Sequence, residues 1–78
     1  LQLAFDAIRK GGNMSCIVNA ANEIVNAGFR KGECGFLQMA DIIEETMAKA
    51  TFDSYPDLDV YLQTDAEARR IATELMHK

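Results

Sequence analysis

The chain has 78 residues, of which 49% are hydrophobic and 26% are charged, so it holds at most one small globular domain. Its 8 basic and 12 acidic residues give a net charge of −4, which argues against a nucleic-acid or an anionic-membrane surface. No apolar stretch approaches the roughly 20 residues that span a bilayer. Two cysteines are too few for a disulfide scaffold, so we expect a reducing, cytoplasmic setting.

The first predicted helix covers residues 1–10 and ends at the glycine pair 11–12. Its apolar face consists of four residues at helical spacing, which are Leu1, Ala4, Phe5 and Ile8. Because the chain begins with leucine and this pattern is already under way there, we expect a piece of a longer protein.

The second predicted helix covers residues 13–31, with Asn13 as its N-cap and Gly32 after its end. Seven residues form its apolar stripe, namely Met14, Ile17, Val18, Ala21, Ile24, Val25 and Gly28. The opposite side is polar and carries Asn19, Asn22, Glu23, Asn26 and Arg30.

The second half of the chain predicts further helices over residues 38–49 and 57–77, joined by a loop that contains Pro56. Phe36 and Leu37 are expected to enter the core in an extended form. The last segment is interpreted as one helix, although a T-x-x-E capping box at Thr64 allows two. Its expected inward residues are Leu58, Tyr61, Leu62, Ala68, Ile71, Ala72, Leu75 and Met76. The fold prediction is therefore all-α, a small bundle of about four helices with antiparallel neighbours.

The residues that could carry chemistry do not form a recognisable catalytic, cofactor or metal motif. Cys34 lies beside an acidic residue, which disfavours a reactive thiolate, and His77 lies near the chain end, so a catalytic Cys–His pair is not expected. Cys16 is expected to be buried. The acidic residues do not fit an EF-hand loop; they are Asp41, Glu44, Glu45, Asp53, Asp57 and Asp59. The G-x-x-G pattern at residues 32–35 resembles the nucleic-acid clamp of KH domains but lacks the neighbouring strands. The basic pair at residues 69–70 is interpreted as surface ion pairing with Glu67 and Glu74.

The most unusual feature is a polar row of Asn19, Asn22, Glu23 and Asn26. We call its three asparagines the asparagine row. Asparagine is a poor helix former, so three of them on one helix side indicate fixed hydrogen-bond partners. The candidate partners, in order of preference, are loop backbone within this domain, such as residues 32–36, then another domain, and then a substrate.

Three stretches carry a family resemblance: residues 11–23 (GGNMSCIVNAANE), residues 35–45 (with GFL at their start and IIEE at their end) and residues 65–72 (DAEARRIA). In this order and spacing they resemble the C-terminal domain of the 1-deoxy-D-xylulose 5-phosphate reductoisomerase family, over essentially the whole chain. Ser15 stands where the family usually has proline, and serine is compatible with a helix start.

The resemblance implies that residues 1–78 are a single C-terminal helical bundle excised from a multidomain bacterial enzyme. The parent would make 2-C-methyl-D-erythritol 4-phosphate for non-mevalonate isoprenoid biosynthesis, using NADPH and Mg²⁺ or Mn²⁺, as a cytoplasmic homodimer. The family's metal, phosphate and dinucleotide residues lie upstream, so none carries over to this sequence. We therefore expect a structural domain that packs on the catalytic and dinucleotide-binding domains of its own chain and is inactive alone. The alternative is a stand-alone acidic helical interaction module.

Overall fold

The computed structural model describes residues 7–78, which are helical except for short connections. Helix α1 is described over residues 7–10, and α2, α3 and α4 cover Met14–Arg30, Phe36–Lys49 and Leu58–Met76. The described residues include no strand, and the predicted all-α bundle of four helices is confirmed. Three positions of the first predicted apolar face, Leu1, Ala4 and Phe5, lie outside the described residues.

Glycines with positive φ separate the first helices. Gly11 and Gly12 have φ values of 74° and 55°, and Gly32 after α2 has a φ of 77°. These values are readily adopted only by glycine, so the chain leaves the helical path at both places. Asn13 stands at the N-cap position of α2, but its side chain makes no capping hydrogen bond.

Helix α4 is continuous, so the interpretation as a single helix is confirmed and Thr64 does not begin a second one. The short loops make α3 antiparallel to both α2 and α4. Three contacts then advance in the same direction along both helices: Asn13 meets Thr64, Glu23 meets Arg69, and Glu33, just past α2, meets His77. Helices α2 and α4 consequently run parallel to each other.

The core lies where α2 packs between α3 and α4, and it is built from small and medium side chains. One cluster contains Ala7, Met14, Ile17, Ala20, Ala50, Ala68 and Ile71. The other contains Ala21, Val25, Cys34, Ile42, Ile43 and Ala72. The fully buried alanines of α2 and α4 allow the two helix backbones to approach closely.

The expectation that Phe36 and Leu37 enter the core is wrong. They form the first turn of α3 and are 74% and 84% exposed. The helix begins at this point because Gly35 is extended and its N–H donates to the Gln38 side chain at 2.7 Å, which satisfies a free donor at the helix start.

Three residues expected to face inward on α4, Leu58, Tyr61 and Leu62, are exposed. The buried residues of this helix begin at Thr64 and continue through Ala68, Ile71 and Ala72. The helical period instead puts Leu58 and Leu62 on the stripe that continues through the charged residues Asp65 and Arg69.

Smaller corrections concern Ile8 and the two cysteines. Ile8 is exposed and Ala7 is the buried residue of α1. Cys34 is buried in the core, whereas Cys16 is only partly buried. Cys16 is therefore less buried than expected, whereas the loop residue Cys34 folds back under α2 against Gly28.

Candidate functional site

The asparagine row lies on the outer side of α2. Asn19 and Asn22 are exposed and Asn26 is partly buried. Ser15 precedes them at the same helical spacing and is exposed as well. The row therefore forms an uncharged polar stripe that faces away from the core.

The row finds its hydrogen-bond partners within itself. Asn26 Nδ2 donates to the Asn22 backbone carbonyl at 2.8 Å and to Asn22 Oδ1 at 3.0 Å. Asn19 makes no side-chain hydrogen bond to any residue in the range 7–78. The preferred partner, loop backbone such as residues 32–36, makes no hydrogen bond to the three asparagine side chains within residues 7–78. The N–H groups of Gly32 and Glu33 donate to α2, and that of Gly35 donates to Gln38.

Glu23, beside the row, connects α2 to α4. Arg69 Nη2 donates to Glu23 Oε1, and Arg69 Nε donates to Asp65 Oδ2 at 2.9 Å. Hydrogen bonds to Asp65 and then to Glu23 raise the pKa of Arg69 above its ordinary value. Each of the two carboxylates therefore has a basic partner, and the three side chains together carry a net charge of −1.

Cys16 occupies the junction between the asparagine row and the first turns of α4. Its Sγ lies 3.7 Å from the Tyr61 carbonyl oxygen. Burial, followed by the Asp65 carboxylate, raises the pKa of the Cys16 thiol, and Arg69 opposes the shift. Cys16 is therefore held as a neutral thiol, which is a poor nucleophile.

An apolar surface adjoins this junction on α4. Leu58 and Leu62 are 73% and 63% exposed, and Tyr61 is exposed beside them. We call this surface together with the asparagine row the α2–α4 face; its members are Asn19, Asn22, Asn26, Leu58, Tyr61 and Leu62. The spacing of Leu58 and Leu62 to Asp65 and Arg69 was the signal in the sequence that could have revealed their exposure.

A second polar site lies at Asn13, which is fully buried. The sequence predicted this residue only as the N-cap of α2. Asn13 Nδ2 donates to the Thr51 carbonyl at 2.9 Å and to Thr64 Oγ1 at 2.8 Å. Its Oδ1 accepts the Asp53 N–H at 2.8 Å, and its own backbone N–H donates to the Asp53 carbonyl. One amide thus joins the start of α2, the loop after α3 and the middle of α4.

The remaining ionisable side chains that could take part in chemistry make ordinary surface contacts. Arg70 pairs with Glu74 at 3.0 Å, as predicted, whereas Glu67 accepts hydrogen bonds from Thr51. His77 Nε2 lies 3.0 Å from Glu33 Oε1, and this hydrogen bond lowers the pKa of Glu33.

The catalytic and metal motifs considered from the sequence do not form in the described part of the chain. The Cys34 thiol approaches the Gly35 carbonyl at 3.4 Å, and no hydrogen bond joins it to His77 within residues 7–78. Over the same range, no three histidine, cysteine or acidic side chains converge in a way that could hold a metal ion. None of the helices described is both long and apolar enough to cross a membrane.

Comparisons with known proteins relate the chain to one family. The family model of the DXP reductoisomerase C-terminal domain matches residues 1–71. The chain is 55% identical over all 78 residues to a 1-deoxy-D-xylulose 5-phosphate reductoisomerase of Bacteroides fragilis. It is 57% identical over 76 residues, or 97% of the chain, to that of Bacteroides thetaiotaomicron. It is 42% identical over 76 residues, again 97% of the chain, to that of Listeria monocytogenes.

The chain spans only 20% of the length of each of these relatives. Its match to the family model nevertheless extends over nearly all of its own residues. The chain therefore belongs to the family of DXP reductoisomerase C-terminal domains.

Proposed function

We propose that the chain is the C-terminal support domain of a bacterial 1-deoxy-D-xylulose 5-phosphate reductoisomerase and has no catalytic activity by itself. The parent enzyme would be a cytoplasmic homodimer that makes 2-C-methyl-D-erythritol 4-phosphate in non-mevalonate isoprenoid biosynthesis. The observation that carries the proposal is the family match over residues 1–71, combined with the one-fifth share of the relatives' length.

NADPH does not fit the described residues. Dinucleotide binding of the Rossmann type uses a glycine-rich turn between a strand and a helix. The glycines at positions 32 and 35 instead lie in the connection between α2 and α3, and residues 7–78 contain no strand. We therefore assign NADPH to a dinucleotide-binding domain in another part of the parent chain.

A divalent metal does not fit the described residues either. Mg²⁺ and Mn²⁺ prefer converging carboxylate oxygens. Asp41, Glu44 and Glu45 are exposed on α3 without a shared centre, and Asp65 and Glu23 are occupied by Arg69. We assign the metal to the catalytic domain of the parent chain, where the chemistry would take place.

A support role agrees with how the side chains of this domain are used. Arg69 binds Glu23 across helices, and the buried amide of Asn13 fixes the helix arrangement. We propose that this rigid bundle holds the catalytic and dinucleotide-binding domains of the same chain in their working geometry.

An activity assay tests the proposal. We would express the 78-residue chain and the full-length protein separately and follow NADPH oxidation with 1-deoxy-D-xylulose 5-phosphate and Mg²⁺ or Mn²⁺. The full-length protein should turn over and the 78-residue chain should not. NADPH oxidation by the 78-residue chain would contradict the inactive-domain proposal, and an inactive full-length protein would contradict the assignment of the parent.

A stand-alone interaction module is the second candidate, and the exposed side chains of Phe29, Phe36 and Leu37 favour it. An exposed apolar cluster of this kind is typical of a surface that binds a partner. The coding region upstream distinguishes the two functions. A G-x-G-x-x-G motif and a carboxylate-rich domain in frame would support the reductoisomerase, whereas a start codon immediately before Leu1 would support the module.

A further inference from the structure

We propose that the α2–α4 face is the surface by which this domain docks onto the rest of its own polypeptide. The inference rests on the proposed function, because it requires a longer parent chain. Its occupant is an uncharged surface of that chain, which offers peptide or amide groups to the asparagine row and an apolar hollow to Leu58 and Leu62.

The asparagine row supplies the first argument. Asparagine weakens a helix compared with alanine or lysine, and here it stands at exposed positions without a stabilising partner in another element of the described domain. Each amide offers both donors and acceptors, and a short side chain loses little conformational entropy when it is fixed. Such a row is costly in a solvated surface and useful in an interface.

The apolar part of the α2–α4 face supplies the second argument. Two exposed leucines follow each other at helical spacing on α4, and Tyr61 lies beside them. The neighbouring ionic groups, Glu23 and Asp65, are both bound to Arg69, so docking would not bury an unpaired charge there. Apolar side chains with few free charges are the composition found at the centres of protein interfaces.

The length of the relatives identifies the occupant. The chain accounts for 20% of each related reductoisomerase, so about four fifths of a parent protein lies outside this domain. A domain of 78 residues attached to so large a remainder must find its position through a contact surface, and an interface within one chain is typically part polar and part apolar.

The competing surface is the aromatic cluster of Phe29, Phe36 and Leu37. Phe29 and Phe36 already pack edge-to-face on each other, with ring centres 6.3 Å apart. Its three side chains offer no polar group, whereas an interface within one chain is typically part polar, so this cluster is the less suitable docking surface.

Hydroxyl-radical footprinting of the full-length protein tests the choice, since leucine, tyrosine and phenylalanine side chains all react. The oxidation rates of Leu58, Tyr61 and Leu62 in the native protein should be several-fold lower than in the protein unfolded in denaturant. Phe36 and Leu37 should react at nearly the unfolded rate. The reverse pattern, with the aromatic cluster protected and the leucines of α4 reactive, would overturn the proposal.

Charge insertion provides an independent measurement. Asn19→Lys and Asn22→Lys in the full-length protein place a good helix former at exposed positions, so the bundle itself should keep its fold. They should raise the oxidation rates of Leu58 and Leu62 several-fold. The matched controls, Ala40→Lys and Ala48→Lys at exposed positions of α3, should leave these rates unchanged.

These results distinguish a failure of docking from a failure of the proposed function. A full-length protein that oxidises NADPH but leaves the α2–α4 face reactive would overturn the docking surface and keep the support role. A full-length protein without reductoisomerase activity would overturn the proposed function itself. Asn→Lys variants that leave footprints identical to the parent protein would also count against docking at this face.

Discussion

Helix α2 uses the same residue type for two opposite purposes. At its start, Asn13 is fully buried and uses both amide groups within the domain. Further along, Asn19 and Asn22 are exposed, and only the Asn22–Asn26 contact engages the row. The difference lies in the neighbourhood: Asn13 meets the loop after α3 and the middle of α4, whereas the outer side of α2 meets no other element described.

The comparison shows that residue type alone does not assign a role to a polar side chain. A buried amide whose partners are all present specifies how the elements join, and removing it leaves those partners without hydrogen bonds. An exposed amide exchanges its partners with water and contributes little to stability. The stability of the domain should therefore depend strongly on Asn13 and weakly on the asparagine row.

The largest effect is expected for Asn13→Ala. The change leaves the buried Thr64 hydroxyl and the partly buried Thr51 carbonyl and Asp53 N–H without their partner. We expect the free energy of unfolding to fall by about 3 kcal/mol, measured by urea denaturation of the 78-residue chain. Asn19→Ala is the matched control and should change it by less than about 0.5 kcal/mol. Equal effects of the two substitutions would remove the contrast between the two sites.

Gly12→Ala should have the next largest effect, because it disturbs the backbone where the start of α2 meets the loop after α3. Gly12 has a positive φ, and an added Cβ would collide with the Asp53 carbonyl, which accepts the Asn13 N–H. We expect a loss of about 2–3 kcal/mol from backbone strain and displacement of the loop. Gly11→Ala is the control: its φ is also positive but its surroundings are open, so strain alone should cost about 1–2 kcal/mol.

Thermal unfolding of both glycine variants measures the difference. A loss at Gly11 as large as that at Gly12 would show that φ alone matters. The loop that contains Asp53 would then contribute nothing to the sensitivity of this site.

A smaller effect is expected for the contact between Glu23 and Arg69, whose exposure lies between that of the buried Asn13 and that of the exposed asparagine row. Both side chains are about half exposed, so solvent screens the attraction. A double-mutant cycle with Glu23→Gln and Arg69→Gln should give a coupling energy below about 1 kcal/mol that decreases further at high salt. A salt-independent coupling of several times that size would mean that the pair acts as a buried contact.

Most of the fold could be predicted from the sequence because helix boundaries depend on local signals. Glycines at positions 11, 12 and 32 set two helix ends, and the periodicity of α2 identified its buried side. The same method failed at Phe36 and Leu37, where a hydrophobic pair in the first turn of a helix looks like a core segment. Whether such residues are buried depends on what packs over them, and sequence periodicity carries no information on that.

The candidate site was predictable only in part for the same reason. The asparagine row was identified from composition, but the loop backbone preferred as its partner makes no hydrogen bond to it; the contact described joins Asn26 to Asn22. The buried role of Asn13 depends on Thr51, Asp53 and Thr64, which are distant in sequence and meet only in the folded domain. An asparagine at a helix start can either cap the helix or join buried elements, and only the tertiary structure shows which role it has.

The smallest effect is expected for Asn22→Ala, and it is the sharpest test of the outer side of α2. If the row had its partners inside the domain, this substitution would cost about 1–3 kcal/mol. The structure shows only an exposed contact with Asn26, and alanine is a better helix former than asparagine by about 0.6 kcal/mol. We therefore expect the melting temperature of the 78-residue chain to stay unchanged or to rise slightly.

The same substitution in the full-length protein should weaken the contact between this domain and the rest of the chain, because there the amide would have a partner. The informative quantity is the difference between the two backgrounds, with Ala48→Lys on α3 as a control that should show none. A loss of more than about 1 kcal/mol in the 78-residue chain would place the partner of Asn22 inside the domain. In that case the asparagine row would resemble Asn13 after all, and the contrast between the two ends of α2 would disappear.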